Sequence, residues 1–111
     1  MATNGATLPV AWGTPVGLTS GLVLPANPSR TALVFRNVST TAAIAIIPAT
    51  ANIALTQGAY VGATVGQAVI NGAGSITMQP GDLFILDSLQ CTTAWNGIAS
   101  AAGGNLTILE S

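Results

Sequence analysis

Short strand-like runs, interrupted every few residues by Gly, Pro or Asn, predict a chain of β-strands with few or no helices. No window keeps apolar residues at helical spacing behind a capped start. Thr31 to Val38 (TALVFRNV) is the clearest strand, because it combines β-branched and aromatic residues without a breaker. The other predicted strands are Val16–Leu24, Ala43–Ile47, Asn52–Leu55, Ala68–Ile70, Ser75–Gln79, Leu83–Leu86, Thr92–Ile98 and Asn105–Glu110. Seven to nine short strands predict an all-β, antiparallel and jelly-roll-like β-sandwich, with an immunoglobulin-like sandwich as the alternative.

Turn signals mark where several of these strands stop. Asn71-Gly72 predicts a hairpin that returns through Ser75–Gln79, because both turn residues tolerate positive φ. Pro80-Gly81-Asp82 predicts a tight turn, and the Gly-rich stretch from 57 to 67 predicts a loop. The Pro-flanked start of the chain (LPVAWGTP) cannot form a helix. We therefore expect an extended N-terminal arm over residues 1–15 and a single β-sandwich domain over residues 16–111.

Charge is the most unusual feature of the composition. Charged residues make up 5% of the chain, against about 25% in an ordinary soluble domain. They are Arg30, Arg36, Asp82, Asp87 and Glu110, and there is no Lys or His. A surface this neutral offers little repulsion between copies. It predicts a protein packed against copies of itself or another protein, with a monomer coated in Thr and Asn as the alternative.

Membrane and nucleic-acid partners are not expected. A spanning helix needs about 20 consecutive apolar residues, whereas the richest stretch, 42–55, is interrupted by Pro48 and Asn52. The N-terminus has no basic or apolar region typical of a signal peptide. Two arginines and a net charge of −1 cannot neutralise the phosphates that nucleic-acid affinity requires.

The sequence offers almost no catalytic equipment. Without His or Lys, Ser-His, Cys-His and Schiff-base mechanisms are excluded. The lone Cys91 cannot form a thiolate zinc site and is expected to be a small buried side chain. Asp82 and Asp87 are five apart, so a regular strand would point them to opposite faces. We expect no enzyme, no cofactor and no metal, although a calcium site using one of these aspartates with carbonyl oxygens remains an alternative.

The two arginines are the first candidates for a binding surface. Arg30 and Arg36 bracket the clearest strand at an even offset, so a continuous strand would point both to one face. An Arg on a neutral surface is a good bidentate anchor for a carboxylate of a partner or a neighbouring copy. The alternative is internal pairing with Asp82, Asp87 or Glu110.

Aromatic residues supply the remaining candidates, since they are enriched in interfaces and sugar platforms. Trp95 lies in a predicted strand and is expected in the core. Trp12, in the N-terminal arm, is expected to lie on a neighbouring subunit. Tyr60 lies in the Gly-rich stretch. The interface candidates are therefore Trp12, Arg30, Arg36 and Tyr60.

Several segments give the chain a family resemblance. They are RTALVFRNV, the central hairpin, MQPGDLFIL and the closing AWNGIAS…NLTILES. With them the chain resembles small bacteriophage virion proteins of the capsid decoration or cement type. The resemblance implies a non-enzymatic β-sandwich on the outside of a capsid, often a homotrimer, that reinforces contacts of the major capsid protein. It also implies production in the host cytoplasm and residence in the virion.

Two other function classes remain as alternatives. A carbohydrate- or receptor-binding module of a phage tail or fibre would need an exposed aromatic ring, with Trp12, Tyr60 and Trp95 as candidates. An enzyme would depend on Asp82 or Asp87. A Pro-Gly-Asp turn before an apolar strand also occurs in cupin-like barrels, but cupin enzymes use a His-rich metal cluster, which this sequence lacks.

Overall fold

The chain folds as one long antiparallel ribbon that is bent back near its middle. The computed structural model describes residues 10–56, 59–87 and 89–111. These residues form ten strands and a short 3-10 helix, Leu89–Thr92. The strands are β1 Val10–Val16, β2 Gly21–Leu24, β3 Leu33–Asn37, β4 Ile44–Pro48, β5 Asn52–Thr56, β6 Ala59–Val65, β7 Ile76–Met78, β8 Leu83–Leu86, β9 Trp95–Ala99 and β10 Gly104–Glu110.

Strand pairing is nested around the β5–β6 hairpin. β4 pairs with β7, β3 with β8, β2 with β9 and β1 with β10, all antiparallel. Rolling this ribbon gives two four-stranded sheets, β1-β10-β3-β8 (the front sheet) and β2-β9-β4-β7 (the back sheet). The β5–β6 hairpin forms a separate two-stranded sheet. The all-β sandwich predicted from the sequence is confirmed, and its strand order is that of a jelly roll.

The hydrophobic core lies between the front and back sheets. Alternate residues of each strand point inward, because side chains alternate between the faces of a sheet. Phe35 of the front sheet and Trp95 of the back sheet meet with ring centroids 5.3 Å apart. Trp95 is only 2% exposed, so its predicted core position is confirmed.

The expected N-terminal arm differs from the structure over residues 10–15. These residues belong to β1, which pairs with β10 from Val10 opposite Glu110 to Val16 opposite Gly104. Pro15 is tolerated because β1 is an edge strand, where a missing N–H need not break the sheet. The strand predicted over Val16–Leu24 is divided at residues 17–20, where the chain crosses from the front sheet to the back sheet. Residues 1–9 of the expected arm lie outside the described residues.

The middle of the chain also differs from the prediction. The expected loop over 57–67 contains β6, and its residues 57–58 lie outside the described residues. Asn71 does have a positive φ of 55°, but residues 68–70 form no strand, so the turn joins no hairpin. Instead, residues 66–75 (the cover segment) connect β6 to β7, and Gly66 and Ala68 in this segment contact the outer face of the back sheet. Ala68 of this segment packs with Ile47 of β4, which explains why an apolar run there does not need to form a strand.

Candidate functional site

Arg30 is part of the interior and not of the surface. Its side chain is 1% exposed, and its Nη1 lies 2.8 Å from Glu110 Oε1. Nη2 donates to the carbonyls of Pro25 (3.1 Å) and Thr93 (2.9 Å), and Nε donates to the carbonyl of Cys91. Arg30 therefore ties the 25–30 loop to the 91–93 segment and to β10. Of the two roles expected for it, internal pairing with Glu110 is the one found, and burial removes it from the candidate interface.

Trp12 also points into its own subunit. Its indole Nε1 donates to Glu110 Oε2 at 2.7 Å, and its ring packs against the core. The structure therefore places the Trp12 ring against its own chain, where the sequence predicted a position on a neighbouring subunit. Glu110 thus accepts hydrogen bonds from both Arg30 and Trp12, which joins the first and last described strands at this end of the sandwich.

A cavity of about 240 Å³ lies beside this pair, lined by Leu24, Pro25, Ala26, Asn27, Arg30 and Glu110. The carboxylate at its wall is already held by Arg30 and Trp12, and Arg30 already donates to three carbonyls. These polar groups hold the fold together, so the cavity has no free polar anchor among them for a ligand.

The outer face of the front sheet carries exposed apolar side chains. Cross-strand pairing aligns one row of outward residues across all four strands: Ala11, Leu109, Val34 and Ile85. The next row contains Gly13, Thr107, Arg36 and Leu83. Ile85 is 63% exposed, Leu83 54% and Leu109 40%. We call these two rows, together with Asp87 just past the end of β8, the bare face.

Two opposite charges belong to the bare face. Arg36 is exposed and has no hydrogen bond or ion pair within the described part of the chain. Asp87 follows Leu83 and Ile85 at alternate positions, which continues the outward series just past the end of β8, and it is exposed. Asp82 differs, since its Oδ2 accepts a hydrogen bond from the Gln79 N–H at 2.9 Å and closes the predicted tight turn. Arg36 and Asp87 are thus the unpaired charged side chains of the described residues.

The remaining predicted groups offer no reactive site in the described residues. Cys91 is buried and its thiol faces the carbonyl of Arg30 at 3.4 Å, as expected for a packing residue. Within residues 10–56, 59–87 and 89–111, no cluster of three or more acidic, Cys or His side chains is placed to hold a metal ion. Tyr60 lies in β6, and its side chain is outside the described part of the structure. None of the helical structure described is long and apolar enough to cross a membrane.

The prediction named Arg36 correctly as a surface residue but missed its apolar neighbours. Leu83–Leu86 reads LFIL, an apolar run without alternation. Such a run is typical of a strand that is buried on both faces, or of one that exposes apolar side chains on its outer face. In the structure, Leu83 and Ile85 of this run are exposed on the outer face of the front sheet.

Comparisons with known proteins add little to this geometry. No family model matches the chain, and no curated protein matches it. Among solved structures, a chain from the work "Bacillus endospore appendages form a novel family of disulfide-linked pili" aligns at 12% identity. The alignment covers 93% of this chain and 84% of that chain with a TM-score of 0.24. A likeness this weak carries no argument about fold or function.

Proposed function

We propose that this protein is a non-enzymatic structural subunit that works through protein–protein contact at the bare face. Its proposed place is the outer surface of a phage capsid, where it reinforces contacts between coat proteins. The bare face is the observation that carries the proposal. The largest exposed apolar patch of a soluble protein is often an interaction site.

The charged groups of the described residues support a structural role over a catalytic one. Arg30 and Glu110 hold each other, and Asp82 closes a turn. The remaining pair, Arg36 and Asp87, is separated by one strand and four residues, or about 14 Å from sheet geometry. General acid–base chemistry needs groups within hydrogen-bond reach of the reacting atoms, and this spacing does not bring the two onto one small substrate.

The capsid setting rests on the resemblance of the quoted segments to phage decoration proteins. The jelly-roll strand order is compatible with it, since this architecture occurs in viral capsid proteins, but it also occurs in lectins and cupins. The alternative, a sugar-binding tail or fibre module, lacks support from the two tryptophans. Trp95 is buried and Trp12 is turned toward Glu110, so neither offers an open aromatic platform.

A sedimentation experiment with empty capsid shells tests the proposal. The shells are assembled from the coat protein encoded in the same genome and are mixed with increasing amounts of the purified chain. We expect saturable binding at a fixed ratio to coat protein, and a higher temperature of shell disassembly. Absence of saturable binding would overturn the capsid setting.

Two matched variants test whether shell binding depends on the bare face, either directly or through contact between copies. Ile85→Asp places a charge at a position that is 63% exposed on the front sheet, and Leu22→Asp does so at 62% on the back sheet. We expect Ile85→Asp to lower shell occupancy at a fixed protein concentration and Leu22→Asp to leave it unchanged. Equal losses from both variants would contradict a role for the bare face.

A further inference from the structure

The bare face, which the proposed function makes an assembly surface, carries a self-complementary pattern of charge. Arg36 stands on one side of the apolar row and Asp87 on the other. We propose that the partner of this face is a second copy of the same chain, packed face to face about a two-fold axis. Arg36 of each copy then lies opposite Asp87 of the other.

The register of the front sheet supplies the geometry. Arg36 pairs with Leu83, and Val34 pairs with Ile85. The midpoint between Arg36 and Asp87 therefore falls between Val34 and Ile85, on the apolar row at its β8 end. A two-fold axis that lies in the interface and passes through this midpoint, roughly across the strands, exchanges the two charged positions. Such an interface uses the same patch on both copies, which is the property of a two-fold dimer.

The crossing angle that this axis produces is reasonable for packed sheets. The line from Arg36 to Asp87 is inclined by about 20° to the strands, given strands about 4.8 Å apart and a rise of about 3.4 Å per residue. The two copies would then cross their strands at about 40°. Aligned sheets that pack face to face usually cross at about 30°, so the apolar rows can lie along one another.

Pairing through the edge of β8 is a less favourable way to join two copies. β8 is an edge strand, and its four residues are apolar. Asp82 and Asp87 lie immediately before and after it. Antiparallel addition of a second β8 about its centre would place Asp82 opposite Asp87 at both ends, and like charges directly opposite each other are destabilising. Face packing instead gives each charge an opposite partner.

The charge of the bare face also favours a copy over a charged partner. Arg36 and Asp87 cancel, so the face has no net charge to attract an acidic or a basic protein. The sheet offers about 400 Å² per copy, from four strands of up to about seven residues. Interfaces of this size are weak or transient, and we expect a dimer with a dissociation constant on the order of 10 µM.

Charge reversal tests the proposed contact. Arg36→Asp alone, or Asp87→Arg alone, sets like charges opposite each other twice in the dimer. We expect either variant to weaken self-association at least about tenfold. The fold should be unchanged by circular dichroism, because both side chains are exposed. An equimolar mixture of the two variants should form a heterodimer, since both contacts are then between opposite charges. The double variant should recover the homodimer.

The measurement is sedimentation equilibrium across a dilution series from about 1 µM to about 1 mM. A mixture of folded single variants that stays monomeric overturns the proposal, as does a wild-type dimer that neither variant weakens. A trimer, which the resemblance implies, overturns the two-fold arrangement. A monomer at every concentration overturns the pairing and leaves the bare face to another protein or to residues 1–9. Dimers that do not bind shells would instead overturn only the capsid setting.

Discussion

The two outer faces of this sandwich differ in how far their apolar side chains are exposed. Ile47 of the back sheet and Ile85 of the front sheet both point away from the central core. Ile47 is 1% exposed and Ile85 is 63% exposed. The difference comes from the cover segment, residues 66–75, which closes Ile47 together with Ala68 into a second small hydrophobic cluster. No described segment lies over Ile85 in the same way.

Polar contacts hold the cover segment in place. The Gly66 N–H donates to the carbonyl of Ala51 at 2.8 Å, and the Gly66 carbonyl accepts a hydrogen bond from Asn96 Nδ2, also at 2.8 Å. The Ala68 N–H donates to Ser20 Oγ at 2.9 Å. Backbone groups of a covering loop need such partners, because unpaired polar groups in a closed site are costly. The cover segment thus closes part of the back face, around Ile47, while Leu22 of β2 stays 62% exposed. No described segment closes any part of the bare face in this way.

The largest loss of stability is expected when a charged side chain is placed beneath the cover segment. Ala68→Asp buries a carboxylate against Ile47 and Ile98, and no cation is near enough among the contacts of this cluster to pair with it. We expect a loss of about 3 kcal/mol in the free energy of unfolding and a fall in Tm of about 15 °C. Urea and thermal denaturation measure both.

Val69→Asp is the matched control for this variant. Val69 is the next residue in the cover segment and is 44% exposed. We expect the stability of Val69→Asp to lie within about 0.5 kcal/mol of wild type. If the two variants were equally stable, the cover would not close a packed cluster, and the contrast between the two faces would disappear.

A smaller loss of stability is expected for a substitution of Gly66, the first residue of the cover segment. Gly66 has a φ of +63°, and a Cβ added there would lie 2.1 Å from the carbonyl oxygen of Ala49. Gly66→Ala therefore combines left-handed backbone strain with a forced backbone shift, and we expect a loss of about 2 kcal/mol. Gly81 has a φ of +90° with open space around it, so Gly81→Ala should lose only about 1 kcal/mol. Urea denaturation compares them, and equal losses would show that the contact with Ala49 contributes nothing.

The local strands could be predicted from the sequence because each depends on neighbouring residues. TALVFRNV contains β3, Leu33–Asn37, and IAII of β4 lies within the predicted AIAII. The nested pairing could not be predicted, since β1 and β10 pair residues from opposite ends of the described chain, such as Val10 and Glu110. The expected arm shows the same limit, because a Pro-containing segment becomes a strand only when another strand accepts it at an edge.

The two arginines show why the candidate site was only half predictable. The even offset between Arg30 and Arg36 predicts one face only if the strand is continuous. β3 begins at Leu33, and the N–H groups of Thr31 and Ala32 donate to Ser111 outside the ladder of β3. Arg30 therefore lies before the strand and turns inward. Its acceptors come from Pro25, Cys91, Thr93 and Glu110, which no local pattern could have brought together.

The smallest effect on stability is expected on the bare face itself. Ile85→Thr keeps a β-branched side chain at a position that is already 63% exposed. For the dilute monomer we expect a change below about 0.5 kcal/mol in the free energy of unfolding. At high protein concentration the wild type should gain stability, because dimerisation favours the folded state by mass action. The variant should not gain, and denaturation at two concentrations measures the difference. A large loss in the dilute monomer would mean that Ile85 is packed within its own chain, so that both faces are closed alike.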